Sequence, residues 1–207
     1  MIDTALAIPL WTYVTFMGAA VVLYLTPGAD MMFTIASGLR GGARAGVAAA
    51  AGVSLGVFTH VLIAAAGLAV LLLTYPVAYD AIRYAGAAYL AWLAVQAWRA
   101  GPFEPGRSGR AEMGRAFRRG FLTNILNPKV ALFVLAFLPQ FTDPALGPVW
   151  QQILILGVIL TFGGLVTVSA IGACAGLAAA RMTRASGWMG RVSALVFGGL
   201  AIRIALD

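Results

Sequence analysis

The chain has 207 residues, of which 61% are hydrophobic and only 10% charged, with a mean hydropathy of +0.92. A soluble domain carries roughly 25% charged residues, so that class is excluded and an integral membrane protein is predicted. The formal charge of +7 does not point to nucleic acid, because the arginines cluster between hydrophobic runs instead of forming a basic face on a soluble fold.

Six hydrophobic runs meet or approach the roughly 20 residues that a helix needs to span the hydrocarbon core. They cover about 10–37, 45–73, 77–98, 117–137, 150–180 and 188–206. The first ten residues hold Asp3 and no basic residue. That argues against a signal peptide, and the first run is expected to stay in the mature protein. The second run holds one titratable residue, His60, and the fifth holds no charge. Arg191 and Arg203 bracket the sixth, where they can snorkel to the two interfaces. The single cysteine, Cys174, permits no intramolecular disulfide and is expected to be a small packing residue.

Basic residues in short loops favour the cytoplasm. Arg40 and Arg44 lie between runs one and two; Arg99, Arg107, Arg110, Arg115, Arg118 and Arg119 lie between three and four; Arg181, Arg184 and Arg191 lie between five and six. Those loops are expected inside, which leaves both termini extracytoplasmic with Asp3, Asp80, Asp143 and Asp207. Trp11, Tyr75, Tyr79 and Trp150 mark the outer boundary and Trp98 and Trp188 the inner one, with Trp92 read as packing. The stretch from Gly101 to Arg110 reads as a linker near the midpoint. The expected organisation is one all-α transmembrane domain, residues 1–207, with repeat one over 1–100, a cytoplasmic linker over 101–115 and repeat two over 116–207.

Three helices on each side of the linker force the halves into the membrane in opposite directions, the architecture of inverted-repeat transporters. At an offset of 101 residues Pro27 falls on Pro128, Gly46 on Gly147, Gly56 on Gly157 and Gly86 on Gly187. The glycine matches carry little weight in a chain with 25 glycines. The prolines carry more, because each breaks the first helix of its half, and paired interruptions point to a transporter binding site.

The first break reads Thr26-Pro27-Gly28-Ala29-Asp30, and the second Asn124-Ile125-Leu126-Asn127-Pro128-Lys129 contains the only lysine. Asp30 is ten residues before Arg40 and Lys129 ten after Arg119, so both lie roughly 15 Å from the inner boundary of a ~30 Å core. A charge at that depth needs a partner or a wet cavity. The amides of Gly28 and Ala29, or of the helix after Pro128, can receive a carboxylate, with Lys129 adding positive charge. Asp30 can attract an ammonium group or carry a coupling proton. A zwitterion site is expected, lined also by Thr26, Asn124 and Asn127; a structural Asp30–Lys129 ion pair is the alternative. His60 falls in the outer half, as a proton relay or a packing residue. Gly52 and Gly56, like Gly172 and Gly176, form small-residue faces for helix packing. Gln140 and Asp143 read as a solvated boundary.

At these residues the chain resembles the LysE/RhtB family of amino-acid exporters, six-helix proteins of the bacterial inner membrane. The resemblance rests on Thr26-Pro27-Gly28-Ala29-Asp30, the Arg40-Gly41-Gly42-Ala43-Arg44-Ala45-Gly46 turn, His60, Gly86-Ala87-Ala88-Tyr89-Leu90, the run from Phe117 to Lys129, and Phe137-Leu138-Pro139-Gln140-Phe141. The Asn-Pro-Lys and Pro-Gln-Phe elements are more similar to the RhtB branch. Ala29 departs from the family's Pro-Gly-Pro; Asp30 matches. The resemblance implies export of amino acids or close derivatives driven by the proton-motive force, with protons and a small zwitterion as partners and no cofactor. Efflux of metal ions is the alternative within transport, but Asp30 is the only carboxylate at depth and hard cations want several oxygen ligands, so no metal site is expected. An intramembrane hydrolase is the remote alternative: Ser54 and His60 are six residues apart, on roughly opposite helix faces, which leaves Ser169 with His60. Oligomeric state is open, and a homo-oligomer is compatible with the sequence.

Overall fold

The computed structural model describes residues 1–67, 76–99 and 110–181, with positions 191, 194–199, 201–202 and 205. The regular elements among them are all helical. A short helix absent from the sequence reading, α1 (Ile2–Ala7), comes first. It is tied down by Thr4 Oγ1 donating to Gln151 Oε1 at 2.7 Å and by Tyr13 Oη donating to the Ala5 carbonyl at 2.9 Å. Helix α2 (Leu10–Leu25) is apolar on all sides: Phe16 and Ala20 are buried, while Trp11, Val22 and Leu25 remain exposed. Such a helix suits a lipid surround, where an apolar outer face costs nothing.

Proline disfavours helical backbone in the residue before it, and α2 stops at Thr26, whose backbone is extended. Helix α3 (Ala29–Ala65) restarts after Gly28 and contains one non-helical residue, Gly42, at φ 76° and ψ 179°, a conformation that glycine alone adopts without strain. The two limbs fold toward each other at Gly42. Gly38 and Gly46 would be about 12 Å apart on a straight helix, yet a Cβ on either would strike the backbone of Gly172. The loop expected between the first two runs is therefore reduced to a single bent residue.

Helix α4 (Pro76–Arg99) follows, then α5 (Arg110–Ile125), which begins seven residues before the expected start of the fourth run. Beyond Leu126 and Asn127 the chain resumes as α6 (Pro128–Leu132), loosens to a π turn over Phe133–Phe137 and tightens to a 3₁₀ turn over Leu138–Phe141. The segments on either side of the second break are bent by 56°. A loop containing the Pro144–Leu146 3₁₀ turn and Gly147 (φ 125°) leads to α7 (Val149–Arg181). Gln152, fully buried, holds this loop by donating to the carbonyls of Asp143 and Gly147. Gln140 and Asp143 themselves are exposed, as a boundary requires. Among the described residues two helices are long and apolar enough to cross a membrane, Ala29–Ala65 and Val149–Ala179, with a third if the bent pair counts as one span. The sixth run is described at positions 191, 194–199, 201–202 and 205, and all of these are helical.

Small residues set the helix spacing. Gly172 meets Gly46 and the Thr34 methyl, Gly176 meets Ala43, Gly52 meets the Phe117 carbonyl, and Gly120 meets the Ala49 carbonyl. These are backbone-to-backbone approaches of the kind that hold helices together in membranes. Of the glycines matched at offset 101, Gly46 and Gly147 do not share a role: Gly46 packs a helix, whereas Gly147 turns a loop. Cys174 is exposed, which corrects its expected packing role. Trp92, also exposed, stacks on Tyr89 with ring centroids 5.6 Å apart.

The buried apolar side chains form two clusters. One joins Phe16, Val61, Val134, Leu138, Leu156 and Leu160; the other joins Ala29, Phe33, Ala49, Leu93 and Phe197. Gly46→Ala or Gly172→Ala places a methyl group against backbone and is expected to cost about 1–3 kcal/mol. Gly18→Ala, where a Cβ meets nothing within 4 Å, is expected to hold or gain up to about 1 kcal/mol. Thermal unfolding of the three variants in detergent checks this ordering.

Candidate functional site

The two helix breaks meet, and each supplies what the other lacks. At the end of α2 the last carbonyls have no partner within the helix. Lys129 Nζ donates to two of these oxygens, Leu23 O at 3.2 Å and Thr26 O at 2.9 Å. A cation at a helix C-terminus also complements its partial negative charge. The side chain passes Gly28: a Cβ there would lie 3.7 Å from both Cδ and Nζ of Lys129.

At the second break Asn127 is the N-cap of α6. Its Oδ1 accepts from the Lys129 amide at 3.1 Å, and Pro128 takes the first helical position, where its missing N–H costs nothing. The Asn127 amide donates to the Asn124 carbonyl at 2.9 Å, so the break is hydrogen-bonded from within.

Asp30 lies in the first turn of α3, where the helix dipole favours an anion. Asn124 Nδ2 donates to its Oδ2 at 2.8 Å, and the Asn127 side chain and the charge of Lys129 lie close enough to act on it. Asn124 is fully buried and sits on Gly56, where a Cβ would come within 2.6 Å of Asn124 Oδ1. Gly56 is therefore a seat for a site residue, not only a packing position. His60 is buried too, with Nε2 at 3.3 Å from the Asn124 carbonyl. A carbonyl only accepts, so Nε2 carries the proton and Nδ1 is a bare acceptor.

Four buried polar atoms here have no hydrogen-bond partner: Asp30 Oδ1, Asn124 Oδ1, His60 Nδ1 and Thr34 Oγ1. Three of them can only accept. Buried polar atoms are normally satisfied, so this layer is short of donors. A cavity of about 50 Å³ opens beside it, lined by Thr26, Gly28, Asp30, Asn127 and Lys129 and by Tyr24, Ser54 and Val57. Ala29 is buried and is not among the lining residues, and neither is Asn124, which backs Asp30 from behind. Thr26 also turns its hydroxyl back onto the Val22 carbonyl.

Tyr24 and Ser54 were not foreseen as lining residues. Tyr24 Oη donates to Leu160 O at 2.6 Å and its ring lies over Gly163 and Gly164; the only sequence signal for it is the adjacent glycine pair in α7. Among the described residues no three of His, Cys, Asp and Glu come together.

A sequence model of the LysE family, described as LysE type translocator, matches residues 21–207. An uncharacterized membrane protein of Vibrio cholerae is 33% identical over 148 residues, covering 70% of this chain and 72% of the relative. The homoserine/homoserine lactone efflux protein of Salmonella typhimurium is 37% identical over 66% of this chain and 67% of its own length. The leucine efflux protein of Klebsiella pneumoniae is 37% identical over 63% of each. No solved structure matches.

Asn127→Ala removes the cap of α6 and is expected to cost about 1 kcal/mol, with Asn127→Ser restoring most of it. Unfolding midpoints of the purified variants check this.

Proposed function

Because the chain belongs to the family of LysE type translocators, we propose that it is a secondary active exporter of amino acids or small amino-acid derivatives, coupled to the proton-motive force and working by alternating access around the Asp30–Lys129 layer. The family makes it a transporter and not an enzyme. Relatives named for homoserine and leucine efflux support the substrate class.

The observation that carries the reading is the donor-poor layer around Asp30 set beside a donor-rich Lys129. Of the acceptors without a hydrogen, Asp30 belongs to the cavity lining, and an ammonium group there brings three donors. Lys129 and the first amides of α3 and α6 want an anion. An α-amino acid carries both groups on one carbon. Thr26, Gly28, Asp30, Asn127 and Lys129 contact the substrate in this reading, Asn124 orients Asp30, and Ala29 contributes its backbone. Asp30 carries the coupling proton, and His60, hydrogen-bonded to the Asn124 carbonyl, is the second group in the layer able to take one.

The proposed architecture is six helices in two inverted repeats, 1–100 and 116–207, joined by a cytoplasmic linker. The meeting of the Pro27 and Pro128 breaks supports it, as does the distribution of arginines, which puts both termini outside the bacterial inner membrane. A cavity of about 50 Å³ is small beside the roughly 300 Å³ or more of ordinary ligand pockets, so loading requires the lining elements to part.

Proteoliposomes holding the purified chain under an imposed proton gradient are expected to move at least one member of an amino-acid panel that includes L-homoserine and L-leucine. Asp30→Asn and Lys129→Ala are expected to reduce transport at least about tenfold, the loss of one charged hydrogen bond. Undiminished transport in both variants sinks the site assignment.

A further inference from the structure

Helix α3 turns back on itself at Gly42, and Asp30 and Ser54 each lie twelve residues from that bend. The two limbs therefore bring residues 53–57 to the depth of Asp30. Helix α7 is placed against the second limb by two glycine contacts: a Cβ on Gly172 would strike Gly46, and one on Gly157 would strike Val61. These antiparallel contacts set Gly164 level with Ser54. Leu160, Gly164 and Val168 follow one another at four-residue spacing and share one face of α7. All three line the mid-membrane cavity, as do Val53 and Val57 of α3. The charged and amide groups of that cavity, Asp30, Asn127 and Lys129, come from the helix breaks, whereas its aliphatic wall comes from the interiors of two long helices.

That wall is held in place. Val53 and Leu160 are buried, and Val57 and Leu160 belong to the apolar cluster around Phe16 and Leu156. The ring of Tyr24 borders the same wall. Tyr24 Oη donates to the Leu160 carbonyl at 2.6 Å, and the ring is seated on paired glycines: a Cβ on Gly163 would come within 2.9 Å of Oη, and one on Gly164 within 3.3 Å of Cε1. The backbone around Tyr24 is fixed as well, because the carbonyls of Leu23 and Thr26 bind the Lys129 ammonium. A side chain extending from the Asp30–Lys129 layer along the valines meets a ring that has no room to move toward α7.

We propose that Val53, Val57, Leu160 and Val168 form the subsite for an aliphatic substrate side chain, and that the Tyr24 ring limits its size, admitting side chains up to that of leucine and turning away aromatic ones. The identity of the ligand as an amino acid rests on the exporter reading. A methylene group buried against such a wall is worth about tenfold or more in discrimination, and a hydroxyl in its place gives up hydration for contact with carbon.

The test compares L-norvaline with L-homoserine, whose side chains have equal numbers of heavy atoms and differ by a hydroxyl, and L-leucine with L-phenylalanine, which differ in bulk. In proteoliposomes the native chain is expected to show kcat/KM about tenfold higher for the first member of each pair. Tyr24→Ala and Val57→Ala open the cavity from different helices, and each is expected to raise phenylalanine about tenfold relative to leucine. Tyr24→Phe keeps the ring and the native order. Ratios are read because a loosened fold slows all four substrates alike, and Val57→Ala carries the test where Tyr24→Ala does not fold. Equal values for norvaline and homoserine, or a leucine-to-phenylalanine ratio unchanged in the alanine variants, overturns the subsite and leaves amino-acid export intact.

Thermal shifts of the full chain in nanodiscs, with the same four amino acids, read binding without transport. The native order of shifts, lost in the alanine variants, in a chain that moves none of the four refutes the exporter reading and leaves the subsite standing. Neither shift nor transport with any of the four refutes both.

Discussion

Everything near the centre of this molecule follows from having to satisfy backbone groups that two prolines set free in an apolar medium. A broken helix in lipid leaves carbonyls and amides that no water reaches, each at a cost of several kcal/mol. Here the breaks are brought together so that the polar groups of one serve the other. Lys129 satisfies the carbonyl end of α2, Asn127 caps the helix that carries Lys129, and Asn124 ties the second break to Asp30 at the start of α3. The second break is capped from within, whereas the carbonyl end of the first depends on its counterpart.

That junction is also where the apolar core divides. The cluster around Phe16, Leu138 and Leu156 lies on one side and the cluster around Phe33, Ala49 and Phe197 on the other. Close helix contact through Gly38, Gly46, Gly52 and Gly172 holds α3 against α5 and α7, so the polar layer is clamped by backbone contact and not by bulky side chains. Gly56 belongs to the same stripe as Gly52 but faces the Asn124 side chain. Absence of a Cβ at one position thus serves packing, and at the next turn it makes room for a polar site.

Much of this was legible in the sequence because the signals are one-dimensional. A proline, a lone lysine and a lone acid inside apolar runs stand out without any knowledge of neighbours, and counting residues to the flanking arginines placed Asp30 and Lys129 at one depth. The helices over Pro76–Arg99 and Val149–Arg181 fall within a residue of the expected runs. What could not be read was direction. In α2 or α7 nearly every residue is apolar, so no periodic pattern says which face turns inward; Tyr24 carries no signal for that reason, and Cys174 is exposed where packing is expected. Backbone partners leave no trace in side-chain identity either. Lys129 was paired with Asp30 or with a substrate in the sequence reading, whereas its ammonium rests on the carbonyls of Leu23 and Thr26. The arginines at 40 and 44 point to a loop between two helices, and that the one non-helical residue Gly42 makes the bend has no sequence signal.

The arrangement has a consequence for how such a site responds to a ligand. The groups available to an anion are already in use as structural caps, so an anion drawn to Lys129 competes with the carbonyls of Leu23 and Thr26 for the same ammonium hydrogens. Two of the ammonium's three hydrogens already serve those carbonyls, and an anion that reorients the ammonium lengthens or bends one or both of these bonds. Whatever draws Lys129 away loosens the end of α2, and whatever supplies a donor to Asp30 removes its deficit. A zwitterion does both at once, weakening the contact that joins the two breaks while relieving the acceptors that one of them carries. A ligand can shift a conformational equilibrium only by the difference in its contacts between the two states, and here the contacts that would differ are the same ones that fix the geometry of the helix breaks.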